Sequence, residues 1–124
     1  SLRPERLARL EERLLRYFAG EEVTFLDQRI DVDDAPKFTR TAWDTCRTIP
    51  FGETRSYRWL ASRSGRPTAP RAAGQAMARN RMPIVIPCHR VIGSDGGLRG
   101  FGRGRHRLDL KERLLRLEAL QGPQ

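Results

Sequence analysis

Cysteine, histidine and long apolar stretches are all scarce in this sequence of 124 residues. The two cysteines, Cys46 and Cys88, are too few for the disulfide framework of a small secreted domain. Neither C-x-x-C nor H-x-x-x-H spacing occurs, so we expect no metal site. No apolar run approaches the roughly 18 residues of a membrane-spanning helix, and the charged N-terminus does not resemble a signal peptide. We therefore expect a cytoplasmic protein without a membrane partner.

Acidic residues are also in the minority, with 15 Asp and Glu against 24 Lys and Arg. The resulting net charge of +9 favours a polyanionic partner, nucleic acid first and an acidic membrane surface a distant second. The length fits one compact domain with one modest core.

Two amphipathic helices are predicted in the first half of the chain. The first begins near Pro4 and ends before Gly20, and its apolar residues recur at helical intervals: Leu7, Leu10, Leu14 and Phe18. A polar connector with brief extended segments follows over 21–34. The second helix covers about 36–49 and presents one apolar stripe: Phe38, Ala42, Cys46 and Ile49. Cys46 is therefore interpreted as a small core residue.

Two short helices come next and resemble a helix-turn-helix. Thr54 or Ser56 can cap a third helix that Gly65 ends, and Thr68 can cap a fourth helix with Pro70 in its first turn. Many small helical domains show the same arrangement, so this pattern alone does not establish DNA binding.

The fourth helix is nearly smooth and carries few large polar side chains that could read bases. Such a helix can approach a narrow groove closely and be held by phosphate contacts, which predicts sequence-tolerant docking in the minor groove of DNA. The candidate DNA-binding residues are Arg71, Ala72, Ala73, Gly74 and Arg79. A packed, alanine-rich core helix is the alternative interpretation.

The run M-P-I-V-I-P-C-H-R-V-I at 82–92 is the most reactive-looking segment of the chain. Pro87 restricts the backbone, so Cys88 is expected to point in a defined direction. The thiolate is the nucleophilic form of cysteine, and the neighbouring His89 and Arg90 favour it if they are charged. In an extended segment Cys88 and His89 face opposite sides, so a bridging water is expected to connect them. A buried structural histidine is the alternative for His89.

The last helix supplies a candidate partner for His89. Leu110, Leu114 and Leu117 are predicted to face the core, with Glu118 at the edge of that apolar face. A carboxylate there can orient the imidazole, as in other chains of nucleophile, base and orienting group. An ordinary charge on a helix edge is the alternative.

Glycines dominate the segment after Ile92, G-S-D-G-G-L-R-G-F-G-R-G at 93–104. The spacing is not that of a phosphate-binding loop. We expect a pocket wall, with Phe101 able to stack on a planar base or to anchor the loop locally.

The motif P-C-H-R-V at 87–91 resembles the active-site signature of the O6-alkylguanine-DNA alkyltransferases. The resemblance runs from about 38 to 119 and includes I-P-F-G-E-T-R-S-Y at 49–57, A-P-R-A-A-G-Q-A-M at 69–77 and K-E-R-L-L-R-L-E at 111–118. It implies a mainly α, winged-helix-like DNA-binding domain with a short extended active-site segment.

The resemblance also implies roles for individual residues. Cys88 is the alkyl acceptor, activated through water by His89, which Glu118 orients, and Asn80 braces the active-site turn. Tyr57 turns the target nucleotide outward, and Arg71 fills the space that it leaves in the base stack. The base pocket implied in this way comprises Met77, Pro83, Val91, Gly100, Phe101 and Gly102.

The chain departs from the family pattern in several places. Phe101 stands where tyrosine is frequent, Gly102 offers no hydroxyl, and 103–107 resembles a short basic insertion. Residues 1–35 are expected to form a residual N-terminal helix and connector, and 36–124 the alkyltransferase domain. The family's zinc site belongs to an N-terminal region that this chain largely lacks, so neither metal nor cofactor is expected.

The function implied is a single-turnover methyltransferase that acts as a monomer on double-stranded DNA carrying O6-alkylguanine. A lesion-binding protein on the same scaffold is the main alternative, although such relatives replace the reactive cysteine. A cysteine hydrolase would need a remote histidine, and His106 is the one candidate.

Overall fold

The fold consists of helices joined by one very short parallel strand pair. The computed structural model describes residues 4–30, 32–93 and 105–121. The helices in these ranges are α1 (Pro4–Phe18), α2 (Lys37–Cys46), α3 (Tyr57–Arg63), α4 (Pro70–Ala78) and α5 (Arg105–Gln121). The strands are β1 (Arg55–Ser56) and β2 (Val91–Ile92), with a 3₁₀ turn over Cys88–Arg90 directly before β2. The predicted mainly helical class is confirmed.

Helix α1 is amphipathic, but its buried stripe differs from the predicted one. Leu10 and Leu14 pack against the interior as expected. Tyr17 is completely buried, whereas Leu7 and Phe18 are about half-exposed. Tyr17 follows Leu14 by three residues and Phe18 follows it by four, so helical spacing fits both, and tertiary packing buries Tyr17.

Helix α2 ends at Cys46 instead of continuing to Ile49, because the backbone after it closes into turns with bonds three residues back. Ala42 and Cys46 are buried in the core, which confirms the interpretation of Cys46. Trp43, which was not part of the predicted stripe, is fully buried, and its indole N–H donates to the Ala76 carbonyl over 2.8 Å. This bond ties α2 to α4.

Helices α3 and α4 pack together as a helix-turn-helix. The Ser56 hydroxyl accepts the backbone N–H of Trp59 over 2.9 Å and caps α3, and Gly65 follows the helix with a φ of +96°. The predicted cap at Thr68 is wrong, because Ala69 occupies the N-cap of α4 and makes no side-chain bond.

The active-site segment is only partly extended, which corrects the prediction. Cys88–Arg90 forms the 3₁₀ turn, and only Val91–Ile92 forms a strand. Its partner β1 lies immediately before α3, so the pairing holds the start of that helix beside the turn. Upstream, Ile84 has a φ of +77°, a left-handed conformation that is unusual for a β-branched residue.

Two hydrophobic clusters meet at this segment. The first lies between α2, α3 and α4 and includes Cys88 and Val91. The second joins α1 and the connector to α5, and its buried members are Tyr17, Val23, Phe25, Phe51, Val85 and Leu114.

Helix α5 contributes less apolar surface than predicted. Leu114 is buried and Leu117 is partly buried, but Leu110 is 37% exposed, and Lys111 occupies the interior instead. None of the helices in the described ranges is both long and apolar enough to cross a membrane.

We expect Ser56→Ala to lower the free energy of unfolding by about 1 kcal/mol, because it removes the cap of α3. Thr54→Ala is the matched control: Thr54 is exposed and does not cap α3, so its loss should change stability by no more than about 0.5 kcal/mol. Urea unfolding measures both values. Equal losses would show that the Ser56 hydroxyl does not stabilise the helix start.

Candidate active site

The thiol of Cys88 lies at the start of the 3₁₀ turn and is 1% exposed. The Asn80 amide nitrogen donates to Cys88 Sγ over 3.0 Å and to the Ile86 carbonyl over 2.7 Å. The Asn80 carbonyl oxygen accepts the backbone N–H of Met82 over 2.8 Å. Asn80 therefore fixes the turn and places a donor on the sulfur, which favours the thiolate.

His89 and Glu118 form a buried pair, with 2.5 Å between His89 Nε2 and Glu118 Oε2. An ionised carboxylate only accepts hydrogen bonds, so the imidazole proton belongs on Nε2. His89 Nδ1 then carries the lone pair, and it bonds to no atom in the described part of the chain. The buried imidazole thus presents one nitrogen as a base.

Glu118 accepts five hydrogen bonds, although the sequence analysis placed it on a helix edge. Arg90 donates through Nε to Oε1 over 2.8 Å and through Nη2 to Oε2 over 3.0 Å. Gly52 N donates to Oε1 over 3.1 Å, the Tyr17 hydroxyl to Oε2 over 2.6 Å, and His89 supplies the fifth bond. The carboxylate is 1% exposed, and every one of these donors comes from another segment.

The charge states of this cluster follow from the contacts. Burial by itself raises the pKa of Glu118, but the bonds from His89 and Arg90 outweigh it and lower the pKa to about 2. Burial lowers the pKa of His89 in spite of the carboxylate. At neutral pH the site therefore holds an ionised Glu118 paired with Arg90, and a neutral imidazole.

The buried Lys111 and the partly buried Tyr57 form a second contact beside the turn. Lys111 Nζ donates to the Val91 carbonyl over 2.5 Å and to the Tyr57 hydroxyl over 3.1 Å. Burial lowers the pKa of Lys111 to about 8. Lys111 precedes Leu114 by three residues and Glu118 by seven, so helical spacing could have placed it on the buried face.

Sequence reasoning missed two further residues of the site. Arg90 was expected only to influence the thiol, but its guanidinium binds Glu118 and also donates to the Ile49 carbonyl over 2.8 Å. Tyr17 was missed because Phe18 fitted the predicted stripe equally well.

The predicted DNA-binding residues fall on two sides of α4. Arg71 and Arg79 are exposed, and Ala72 and Gly74 are partly exposed. Ala73 is completely buried, so its side chain faces the core and not the outer surface, which corrects the prediction. Tyr57 lies beside Gly74, since a Cβ added there would be 3.9 Å from its ring.

Of the predicted base-pocket residues, Met77 and Val91 are buried in the same cluster as Cys88. Pro83 is exposed on the loop before the turn. Gly100, Phe101 and Gly102 lie outside the described residues. Within the described ranges, no group of three or more His, Cys, Asp or Glu side chains is placed to hold a metal ion.

Comparison with known proteins connects this geometry to one family. Residues 37–120 match the family described as "6-O-methylguanine DNA methyltransferase, DNA binding domain". The methylated-DNA–protein-cysteine methyltransferase of Mycolicibacterium paratuberculosis is 46% identical over 120 residues, which are 97% of this chain and 70% of that protein. The protein of the same name from Methanosarcina acetivorans is 47% identical over 105 residues, 82% of this chain and 62% of its own length.

Solved structures agree with the sequence comparison. The crystal structure of Mycobacterium tuberculosis O6-methylguanine methyltransferase matches 92% of this chain with a TM-score of 0.77 at 39% identity, and the match is 66% of that chain. Mycobacterium tuberculosis OGT in complex with DNA matches 92% with a TM-score of 0.76 at 41% identity, 68% of its own chain. This chain thus spans roughly two thirds of the length of these relatives.

Removing Arg90 should leave the buried Glu118 charge without its cationic partner. We expect Arg90→Met to lower the free energy of unfolding by about 3–5 kcal/mol. Arg116→Met is the matched control, because Arg116 pairs with Glu112 over 2.7 Å on the exposed face of α5, and its loss should cost about 0.5 kcal/mol or less. Chemical unfolding compares the two variants. A similar small loss in both would mean that the Arg90 pair is not the main stabiliser of the carboxylate.

Proposed function

Because this chain belongs to the 6-O-methylguanine DNA methyltransferase family, we propose that it repairs DNA by transferring the alkyl group of O6-alkylguanine to Cys88. The observation that supports this most directly is the environment of the thiol. Cys88 Sγ receives a bond from Asn80, and the next residue, His89, is a buried neutral imidazole held by an ionised carboxylate. Such an arrangement suits a nucleophile with an adjacent base.

The proposed reaction moves one alkyl group and, overall, one proton. His89 Nδ1 forms no hydrogen bond within the described part of the chain, so we propose that it takes the thiol proton through a bridging water. The thiolate attacks the alkyl carbon, an S–C bond forms, and the electron pair of the C–O6 bond leaves with guanine. The released guanine takes up one proton, and Glu118 stabilises the transient imidazolium.

We further propose that each molecule reacts once. The product is a thioether, which is not cleaved under mild conditions, and the transfer needs no oxidant, reductant or carrier. The thiol of Cys46 is not a substitute nucleophile, because burial raises its pKa well above the ordinary value.

DNA docking is assigned to the outer face of α4. Small residues at 72 and 74 let the backbone approach the minor groove, while the exposed Arg71 and Arg79 reach phosphates or the base stack. Tyr57 borders the same face and also contacts Lys111, so it lies between the DNA surface and the active-site turn. A base extruded from the duplex would pass this point on its way to Cys88.

The guanine edge is proposed to meet the backbone around Cys88 and Val91. The Cys88 carbonyl accepts the Val91 N–H, and the Val91 carbonyl accepts Lys111 Nζ, so both carbonyls have defined positions beside the thiol. Met77 and Pro83 are proposed as walls, and Gly100, Phe101 and Gly102 as the cover.

Incubation with duplex DNA containing O6-methylguanine should add one methyl group per protein molecule, and peptide mapping should place it on Cys88. Cys46→Ala should be methylated like the parent, and Cys88→Ser should remain unmodified while still binding DNA. Intact-mass measurement and mapping decide the outcome. Binding by the parent without any adduct would instead identify a lesion-binding protein.

Arg71→Ala should slow repair of duplex DNA about tenfold or more, a loss equivalent to roughly 1.4 kcal/mol, because the extruded base leaves a gap that the guanidinium fills. Reaction with free O6-benzylguanine should be nearly unchanged, since no base stack is opened. Arg113→Ala removes the same charge from the exposed side of α5 and serves as the control. Equal slowing with duplex and free base would assign Arg71 to the fold or the thiol.

A further inference from the structure

Tyr17 connects α1 to the candidate active site from outside the family-matched segment, which begins at residue 37. Its side chain is completely buried. Three rings contact it edge-on, those of Phe18, Phe25 and Phe51, with centroids 5.5, 6.3 and 6.0 Å away. This packing leaves the phenol ring little freedom, so its hydroxyl has a defined position.

The Tyr17 hydroxyl donates to Glu118 Oε2 over 2.6 Å, the same oxygen that accepts His89 Nε2 over 2.5 Å. Tyr17 Oη is also 3.4 Å from His89 Nε2, so the two donors lie side by side on one carboxylate oxygen. Arg90 Nη2 is the remaining donor to Oε2 and is more distant, at 3.0 Å. Tyr17 Oη therefore lies closer to Oε2 than Arg90 Nη2 does, and it can keep this oxygen in place when the imidazole moves.

The hydroxyl keeps this role over the neutral pH range. Burial and the bond to Glu118 both raise the pKa of Tyr17, so the phenol stays protonated and remains a donor. The other charged groups that act on His89 are Glu118, Arg90 and Lys111, and none of them is on α1. The Tyr17 phenol therefore links α1 to the imidazole and to its carboxylate partner.

We propose that Tyr17 is a positioning residue for alkyl transfer: by fixing Glu118 Oε2, it sets the orientation of His89 relative to Cys88. This inference rests on the proposed function and extends it to a helix that the family-matched segment does not contain. The rate of proton transfer depends steeply on the orientation of the base. A displacement of the imidazole by much less than the length of a hydrogen bond already lowers the fraction of molecules in a productive geometry.

The test is a double-mutant cycle on the full chain. Tyr17→Phe removes only the hydroxyl and should slow Cys88 methylation by O6-methylguanine DNA about threefold to tenfold under single-turnover conditions. His89→Ala removes the group through which Tyr17 is proposed to act and leaves the Arg90–Glu118 pair in place. In the His89→Ala background, Tyr17→Phe should change the rate by less than about twofold. A purely structural tyrosine would lower both rates by the same factor, which would overturn the proposal.

Phe18→Leu is the matched control, because it alters a half-exposed ring against Tyr17 and keeps the hydroxyl. It should leave the transfer rate within about twofold of the parent, and urea unfolding should show that every variant is folded. A loss in Phe18→Leu equal to that in Tyr17→Phe would assign the effect to ring packing and overturn the proposal.

Running the same cycle with iodoacetamide as the electrophile separates this inference from the proposed function, because alkylation of Cys88 by a small reagent needs no DNA. If the parent fails to take methyl groups from DNA, the proposed function fails, and the iodoacetamide cycle still tests Tyr17. Coupling between Tyr17 and His89 supports the positioning role there. If Tyr17→Phe lowers the iodoacetamide rate by the same factor in the parent and in His89→Ala, the positioning role is rejected, whatever the result with DNA.

Discussion

The buried carboxylate of Glu118 is the constraint on which the rest of the site depends. A charge removed from water is strongly destabilising unless hydrogen bonds and an opposite charge replace the lost solvation. Here five donors do so, from Tyr17, Gly52, His89 and, twice, Arg90. Because these residues come from α1, the loop after α2 and the 3₁₀ turn, satisfying one carboxylate requires α1, that loop and the turn to pack against α5.

The hydrogen bonds to the Glu118 carboxylate also determine the chemistry of the site. An ionised, fully bonded Glu118 fixes the imidazole proton on Nε2 and leaves Nδ1 as the base. The 3₁₀ turn places that imidazole next to Cys88, and the β1–β2 pairing brings Tyr57 and the helix-turn-helix to the same place. Stability and reactivity therefore depend on one cluster, so variants that disturb Glu118 should affect both.

Local signals in the sequence predicted most helices correctly, since periodicity, proline and glycine act over a few residues. They failed where two local solutions competed and tertiary packing decided between them. Tyr17 and Phe18 both fit an amphipathic helix, and Thr68 is a better cap by residue type than Ala69, which the structure uses. The 3₁₀ turn was also missed, because an apolar run bounded by prolines resembles a strand. Nothing local distinguishes Ala73, which is buried, from Ala72, which is partly exposed.

The sequence by itself determined the helical class, the buried state of Cys46 and Cys88 as the candidate nucleophile, because composition, helical spacing and the P-C-H-R-V motif are properties of the chain alone. Only the tertiary structure decided which residues complete the site. Arg90 was expected only to influence the thiol, and Lys111 and Tyr17 were not predicted as site residues. The partners of all three lie between 20 and 101 positions away. A buried charge selects its partners by proximity in space, and that proximity exists only once the helices have packed.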